Sequence, residues 1–230
     1  MENLAEAFGI ALRLILSGDP VVMEITLRTL AISASATAIS CLLFIPAGSF
    51  IHFSSFPGKG AVIAVIQAFY SVPTVFVGLV IYLMISRSGP LGSLEMLFTP
   101  QGIVLAEVAL IAPIMLGLVI SALRGVAPEA RDTVRALGAG PVKAAAVVAS
   151  EARFALLSTV LVGFGRAISE VGAAMMIGGN IAGRTRTLTT AISLGIGKGE
   201  TAESIALGLI LITLALVVSL SVHILGRRRK

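Results

Sequence analysis

Charged residues are scarce in this 230-residue chain: Asp, Glu, Lys and Arg supply 13% of it, whereas hydrophobic residues supply 57%. A soluble domain carries about a quarter charged residues, so the composition excludes an ordinary soluble protein. The one cysteine, Cys41, excludes a disulfide framework and a cysteine metal site. The two histidines, His52 and His223, are far apart and accompanied by no carboxylate cluster, so neither a metal site nor an acid–base pair is indicated. The chain is predicted to be an integral membrane protein and not an enzyme.

The formal net charge of +5 does not indicate a nucleic-acid partner. Four of the seventeen basic residues form the C-terminal run 227–230, which directly follows an apolar stretch. A basic run in that place is a membrane anchor signal. At the other end, residues 1–20 lack a basic leader and carry Arg13 within their apolar part, so no removable signal peptide is expected.

Five apolar stretches are long enough to cross about 30 Å of hydrocarbon. An amphipathic helix over residues 3–17 precedes them; it is too short to cross comfortably and is expected to lie on the membrane surface. We therefore predict an all-α membrane bundle forming a single domain over residues 1–230. The predicted spans are 29–51, 61–86 (interrupted at Tyr70-Ser71-Val72-Pro73-Thr74), 102–123, 154–174 and 204–226.

Five crossings place the two termini on opposite sides of the membrane. With the C-terminus inside, the inner segments hold most of the basic residues, as the positive-inside rule requires. The expected location is therefore the inner or plasma membrane, with the N-terminus outside and the C-terminus cytoplasmic.

The stretch Pro128–Gly138 is the one helix-like segment that must sit in water between two apolar spans. Proline suits the first helical position and glycine suits the left-handed stop that ends a helix. Its narrow apolar stripe on a charged helix is typical of a surface that docks into a groove; an ordinary amphipathic loop helix is the alternative. The stripe comprises Ala130, Val134 and Leu137, and the charged positions are Glu129, Arg131, Asp132 and Arg135.

The run DTVRALG, followed by Val148, resembles the cytoplasmic "EAA" coupling segment of ABC importer permeases. Asp132 stands at the Glu position, Gly138 at the Gly and Val148 at the Ile, whereas Ser150-Glu151 replaces the Leu-Pro pair. A softer helix break after Val148 is therefore expected. The resemblance implies a coupling segment over residues 127–150 whose contacts with the ATPase come from Glu129, Asp132, Arg135, Leu137 and Gly138.

Arg166 and Glu170 are four residues apart in the fourth predicted span. An unpaired charge at membrane depth is costly, so the spacing predicts an ion pair on one helix face. Two roles remain open for the pair: a structural lock, or a direct part in a permeation path.

The glycine-dense segment 175–203 is predicted to be an irregular extracytoplasmic loop. The overlapping stretch Ser169–Ile192 combines glycines with hydroxyl, amide and guanidinium donors, and such a lining suits a tetrahedral oxyanion. Arg184 and Arg186 would dock an external binding protein or simply be outer-surface charges. The pattern Gly-Asn-Ile-x-Gly-x-Thr-Arg-Thr over 179–187 resembles molybdate and tungstate permeases, most closely the tungstate branch.

This resemblance implies a type I ABC importer permease fold and import of tungstate, with molybdate or a sulfate-like oxyanion as the alternative. Two copies would form the pathway, with two ATPase subunits, an external oxyanion-binding protein and membrane lipid as partners; ATP and Mg would bind the ATPase, and no cofactor or metal would bind this chain. A second hypothesis is a stand-alone channel or proton-coupled carrier using Glu107, Glu170 and Arg166. The predicted pathway residues are Tyr70, Ser71, Pro73, Thr74, Arg166, Ser169, Glu170, Asn180, Thr187 and Thr190.

Overall fold

The computed structural model describes residues 4–126, 133, 136, 138 and 140–227, and every regular element among them is helical. Short 3-10 turns occupy Phe69–Ser71 and Gly92–Leu94. The α-helices are α1 (Leu4–Ser17), α2 (Pro20–Phe53), α3 (Lys59–Ala68), α4 (Thr74–Ile85), α5 (Pro100–Arg124), α6 (Pro141–Glu151), α7 (Arg153–Ile168), α8 (Gly172–Gly178), α9 (Leu188–Lys198) and α10 (Thr201–Arg227).

The first turn of the chain confirms the predicted end of α1 and explains the start of α2. Gly18 has a φ of 65°, and the Asp19 carboxylate accepts hydrogen bonds from the backbone N–H groups of Val21 and Val22, each at 3.0 Å. An aspartate cap followed by Pro20 is a strong helix start. Helix α2 therefore begins nine residues before the predicted span and extends for 34 residues, or about 50 Å.

The predicted interruption of the second span is confirmed. Helices α3 and α4, with the turn Phe69–Ser71 between them, are bent by 99° at the break. Pro73 causes it, because a proline donates no backbone hydrogen bond and forces the preceding residue into an extended conformation; Val72 has a ψ of 128°. Within the described ranges, three helices can each span a membrane, and the count rises to five if each of two bent pairs is one span.

A second break separates α6 from α7, which meet at 69°. No proline stands there, and Ala152 at the junction has a φ of −78° and a ψ of 0°. Val148 and Ala152 are buried in an apolar cluster with Val119 and Leu123. The break expected after Val148 therefore exists despite the missing Leu-Pro pair, and packing rather than proline chemistry holds it.

Two sequence predictions about the last third of the chain were wrong in detail. The fourth span was drawn as one helix over 154–174, but α7 ends at Ile168 and α8 begins only at Gly172. The segment 175–203 was predicted to be irregular, yet it contains the end of α8, all of α9 and the start of α10. The glycines hid a local capping signal: Thr187 and Thr190 form a capping box that starts α9.

Of the coupling segment 127–150, residues 127–132, 134, 135, 137 and 139 lie outside the described residues, and these include Glu129, Asp132, Arg135 and Leu137. Thr133 and Ala136 are helical. Gly138 has a φ of 82°, the left-handed conformation predicted for a helix stop. Helix α6 then begins at Pro141, as the sequence predicts.

The chain separates into two compact units; four of the five boundaries fall inside helices, and the fifth lies at the break between Val72 and Pro73. Unit 1 comprises Met1–Ala36, Pro73–Leu110 and Phe164–Val217, and unit 2 comprises Thr37–Val72, Ile111–Gly163 and Val218–Lys230. One apolar cluster of unit 1 joins the start of α2 to α9 and α10 through Ile25, Leu188 and Leu207. A second joins α4, α5 and α8 through Ile85, Ala106 and Ala173. The prediction of a single domain over 1–230 stays a prediction.

We expect Gly78→Ala to destabilise unit 1. A Cβ at Gly78 would lie 2.9 Å from the Ala173 Cα, so α4 and α8 would have to separate. Overpacking of this kind costs about 1–3 kcal/mol. Gly208→Ala in α10 is the matched control, because its added Cβ meets nothing within 4 Å. The check is the thermal unfolding midpoint of the detergent-solubilised protein; equal midpoints for the two variants would contradict the close α4–α8 contact.

Candidate functional site

The ion pair predicted in the fourth span is present, but it bridges the end of a helix. Arg166 Nη1 lies 2.9 Å from Glu170 Oε2, and the Glu170 side chain is 3% exposed. Arg166 belongs to the last turn of α7, whereas Glu170 lies beyond it in the non-helical segment Ser169–Val171. The exposed side chain of Ser169 bonds back to the Arg166 carbonyl at 3.1 Å. The pair therefore stabilises a break rather than the middle of a span.

Glu170 also starts the next helix and ties the break to a third one. Its Oε1 accepts a hydrogen bond from the Ala173 N–H at 3.0 Å, which satisfies a free donor in the first turn of α8. Its backbone carbonyl accepts a 2.6 Å hydrogen bond from the Thr189 hydroxyl in α9. Glu170 thus joins α7 to α8 through its carboxylate, and both to α9 through its backbone carbonyl.

The start of α4, which follows the break in the second span, contacts the break between α7 and α8. A Cβ built on Gly172 would lie 2.9 Å from Val75 Cγ2, 3.6 Å from Glu170 Oε1 and 3.8 Å from Thr74 Oγ1. Thr74 and Glu170, both predicted pathway residues, therefore each place a side-chain oxygen within 4 Å of the same point beside Gly172. Because Gly172 has no side chain, the start of α4 and the start of α8 can lie in contact here.

The hydroxyl and amide groups of the segment 180–190 face inward and bond to one another. Thr185 donates to the Gly178 carbonyl at 2.6 Å and accepts from the Ile181 N–H at 3.0 Å. Asn180, whose φ is 50°, donates to the Thr190 carbonyl at 3.1 Å. These groups hold the segment in shape, so the pathway role of Asn180 and its neighbours stays a prediction. The buried residues of this set are Asn180, Thr185, Thr187, Thr189 and Thr190.

The two arginines of this segment differ in exposure. Arg184 is exposed, next to Gly183 with its φ of 72°. Arg186 is half-buried: its carbonyl accepts from Arg28 Nη1 at 3.4 Å, and its buried Nε has no partner among the described residues. Arg28 also pairs with Glu24 one turn earlier in α2. Only Arg184 presents a fully accessible charge to a docking partner.

Glu107 is the third ionisable group near the α7–α8 break. It lies in α5, is 3% exposed, and one of its oxygens is 3.5 Å from the Ser33 hydroxyl of α2. Its other oxygen is buried without a hydrogen-bond partner in the described part of the chain. The charges of Glu170 and Arg166 both act on it. Glu107 and Glu170 are therefore two buried carboxylates of unit 1, of which only Glu170 pairs with Arg166.

In unit 2, the end of α3 presents a residue that the sequence analysis missed. Gln67 is exposed one turn before Ser71, which is exposed as well. The Tyr70 hydroxyl contacts Gly117 of α5 at a place where any Cβ would collide with it. The signal was visible in the sequence: Gln67 is a lone amide within an otherwise apolar run.

Comparison with known proteins gives consistent similarities. Residues 44–230 match the family described as binding-protein-dependent transport system inner membrane component. The chain is 40% identical over 189 residues to the tungstate uptake system permease protein TupB of Peptoclostridium acidaminophilum, covering 82% of this chain and 83% of that protein. It is also 40% identical over 172 residues to a probable anion ABC transporter permease protein of Haloferax volcanii, covering 73% and 74%.

Among solved structures, the MetNI methionine ABC transporter in an inward-facing form is similar, with a TM-score of 0.69 over 91% of this chain and 96% of that one. The sequence identity there is 18%, so this similarity concerns the fold alone. It confirms the predicted type I importer permease architecture.

We expect Arg166→Ala and Glu170→Ala to be non-additive. Removing either partner leaves the other charge unpaired in an apolar setting, so the double variant should lose less stability than the two single losses combined, with a coupling energy of about 1–3 kcal/mol. Glu170→Gln keeps an acceptor for the Ala173 N–H and should cost less than Glu170→Ala. The measurement is the free energy of unfolding in mixed micelles. Strict additivity would show that the pair contributes nothing.

Proposed function

The chain belongs to the family of binding-protein-dependent transport system inner membrane components, and from this premise we propose that it imports tungstate or a closely related tetrahedral oxyanion. It is the membrane permease component of an ABC transporter. The substrate is proposed from the similarity to the tungstate permease, which spans most of both chains. The segment 179–187, with its Gly-Asn-Ile and Thr-Arg-Thr runs, supports the same substrate class.

Membership in the family implies that the energy and the first capture of substrate come from separate subunits. In our proposal two ATPase subunits each receive one helix from the segment Pro128–Gly138 of a permease homodimer. Gly138, with its left-handed backbone, suits the end of such a helix, and α6 begins at Pro141. Hydrolysis of ATP on the partner then moves the permease through the helices that flank this segment.

The external binding protein would dock on the outer segment around Arg184. The internal bonds of Thr185 and Asn180 fix the backbone of this segment. A fixed loop loses little conformational entropy on docking, which favours binding. The exposed guanidinium of Arg184 suits an acidic patch on the partner.

The broken helices suit a path for an oxyanion. A tetrahedral dianion needs hydrogen-bond donors in place of water, and irregular backbone at membrane depth supplies them where it lines a cavity. Contacts in the path should be weak, because the binding protein performs the selection and the permease must release what it receives.

A proton-coupled carrier is the second candidate, and one observation favours it. Unit 1 holds two buried carboxylates, Glu107 and Glu170, and the half-buried Arg166 that pairs with Glu170; ionisable groups inside membrane proteins serve proton relays. In that case the chain would need no ATPase.

Reconstitution separates the two candidates. We expect liposomes that contain this chain alone to take up no tungstate, with or without a pH gradient. Uptake should appear only when the ATPase subunits, the binding protein and ATP are added, because the permease has no energy source of its own. Uptake by the chain alone, driven by a pH gradient, would contradict the proposal and support the carrier.

Replacing Gly138 with valine should uncouple transport from ATP hydrolysis. A β-branched residue at a φ of 82° is strained, by about 1–2 kcal/mol, and the coupling helix would end differently. Gly138→Asn should retain transport, because asparagine tolerates the left-handed conformation. Gly58→Val is the matched control, since Gly58 has a φ of 81° and equally open surroundings outside the segment. The readouts are tungstate uptake and binding of the ATPase; parental uptake by Gly138→Val would rule out the coupling role.

A further inference from the structure

Helix α3 and the turn that follows it are almost uncovered. Ile63 is the only buried residue of α3, although this segment forms half of a bent pair that is apolar enough to span the membrane. The surface of α3 is therefore met by lipid, by water or by another subunit, and its side chains distinguish among these.

The exposed surface has two different sides. At about 100° per residue, positions 60, 64 and 67 of α3 fall within a sector of about 60°, and they hold Gly60, Ala64 and Gln67. The exposed Ser71 ends the 3-10 turn that follows α3. The opposite sector holds Val62, Val65 and Phe69, all exposed. Bulky apolar side chains suit lipid, whereas an amide and a hydroxyl do not.

The rotation of α3 about its own axis is fixed by Tyr70. Its hydroxyl fits against Gly117 of α5, and any larger residue at position 117 would displace it. Tyr70 and the buried Ile63 lie on the same side of the helix, since they are two turns apart. This anchoring places the Gln67 side beside the packed side of α3 and the Val65 side away from it.

The Gln67 amide makes no side-chain hydrogen bond to any residue in the described ranges, and neither does the Ser71 hydroxyl. At membrane depth, polar groups in that condition need water or a polar solute as a partner. We propose that Gln67, with Ser71, lines the hydrated path of the oxyanion and donates hydrogen bonds to its oxygens. This inference rests on the proposed function and adds a substrate-contacting residue to it.

The chemistry of the two groups fits a transient contact. An amide N–H₂ and a hydroxyl donate hydrogen bonds to an oxyanion without adding positive charge, so they replace hydration water without forming an ion pair. Bonds between neutral donors and an anion are weaker than an arginine clamp. A dianion would therefore pass such a surface without being held there.

Cysteine accessibility tests the inference on the assembled transporter. The chain has one cysteine, so Cys41→Ser gives a parent for single-cysteine variants. In that parent, Gln67→Cys and Ser71→Cys should react at least ten-fold faster with a charged, membrane-impermeant thiol reagent than Val65→Cys and Phe69→Cys, because thiolates form only in water. Reaction at position 67 no faster than at position 65 would overturn the proposal. Loaded binding protein with ATP should slow labelling at 67; labelling unaffected by tungstate would overturn the substrate contact.

ATP-driven uptake by the Cys41→Ser parent tests the proposed function separately from the labelling pattern. A second variant guards against folding failure of the cysteine series. Gln67→Glu puts a carboxylate where the dianion passes, and uptake at pH 8 should fall at least ten-fold while the ATPase rate stays parental. Gln67→Asn keeps a neutral amide donor on a shorter side chain and should lose less uptake than Gln67→Glu. Parental uptake by Gln67→Glu would count against any contact with the oxyanion.

Discussion

A helix that breaks inside an apolar protein leaves backbone N–H and C=O groups without partners, and each of them is costly to leave unsatisfied. In unit 1, hydrogen bonds at both ends of the short helix α8 satisfy such groups. At its start, Glu170 accepts the Ala173 N–H. At its end, the Ile177 carbonyl accepts from the Phe98 N–H at 2.9 Å, and the Gly178 carbonyl accepts from the Thr185 hydroxyl. Side chains and distant loops thus replace the hydrogen bonds that a continuous helix would have made.

The close approach of helices is a second feature on which the structure of this apolar protein depends. Without a hydrophobic driving force in lipid, helices associate through packing, and small residues let them approach. A Cβ added at Gly78 of α4 would lie 2.9 Å from the Ala173 Cα, so the glycine lets α4 pack closely on α8. In unit 2, a Cβ added at Gly48 of α2 would lie 2.8 Å from Val119 Cγ1. Gly117 similarly accommodates the Tyr70 hydroxyl. The glycines of this protein are therefore placed for contact as much as for turns.

These features divide the polar groups of a permease into two sets. The threonines and asparagine of the segment 180–190 are buried and make hydrogen bonds within unit 1, so they fix the backbone of a segment on which Arg184 is exposed. Gln67 and Ser71 face outward with their hydrogen-bonding capacity unused, which is the condition of groups that meet water or solute. The family match implies that the energy comes from an ATPase partner, and in our proposal the segment Pro128–Gly138 receives it.

The membrane class, the family, the end of α1 at Ser17, the break at Pro73 and the left-handed Gly138 were predictable from the sequence, whereas the start of α2 at Pro20 was missed. These signals are local because they depend on capping, proline geometry, hydropathy and motif spacing, which a few neighbouring residues set. The Arg166–Glu170 pair was also predictable, since only four residues separate the partners.

Four features depend on the tertiary structure. Glu170 lies beyond the end of α7, and the break after α6 is present without a Leu-Pro pair. Arg186 is half-buried, whereas Gln67 is exposed. Each of these depends on partners distant in sequence: Thr189 for Glu170, Val119 for Val148, Arg28 for Arg186, Gly117 for the rotation of α3. A hydrogen bond or a packing contact between separate helices depends on where the chain returns in space, and periodicity within one helix does not contain that information.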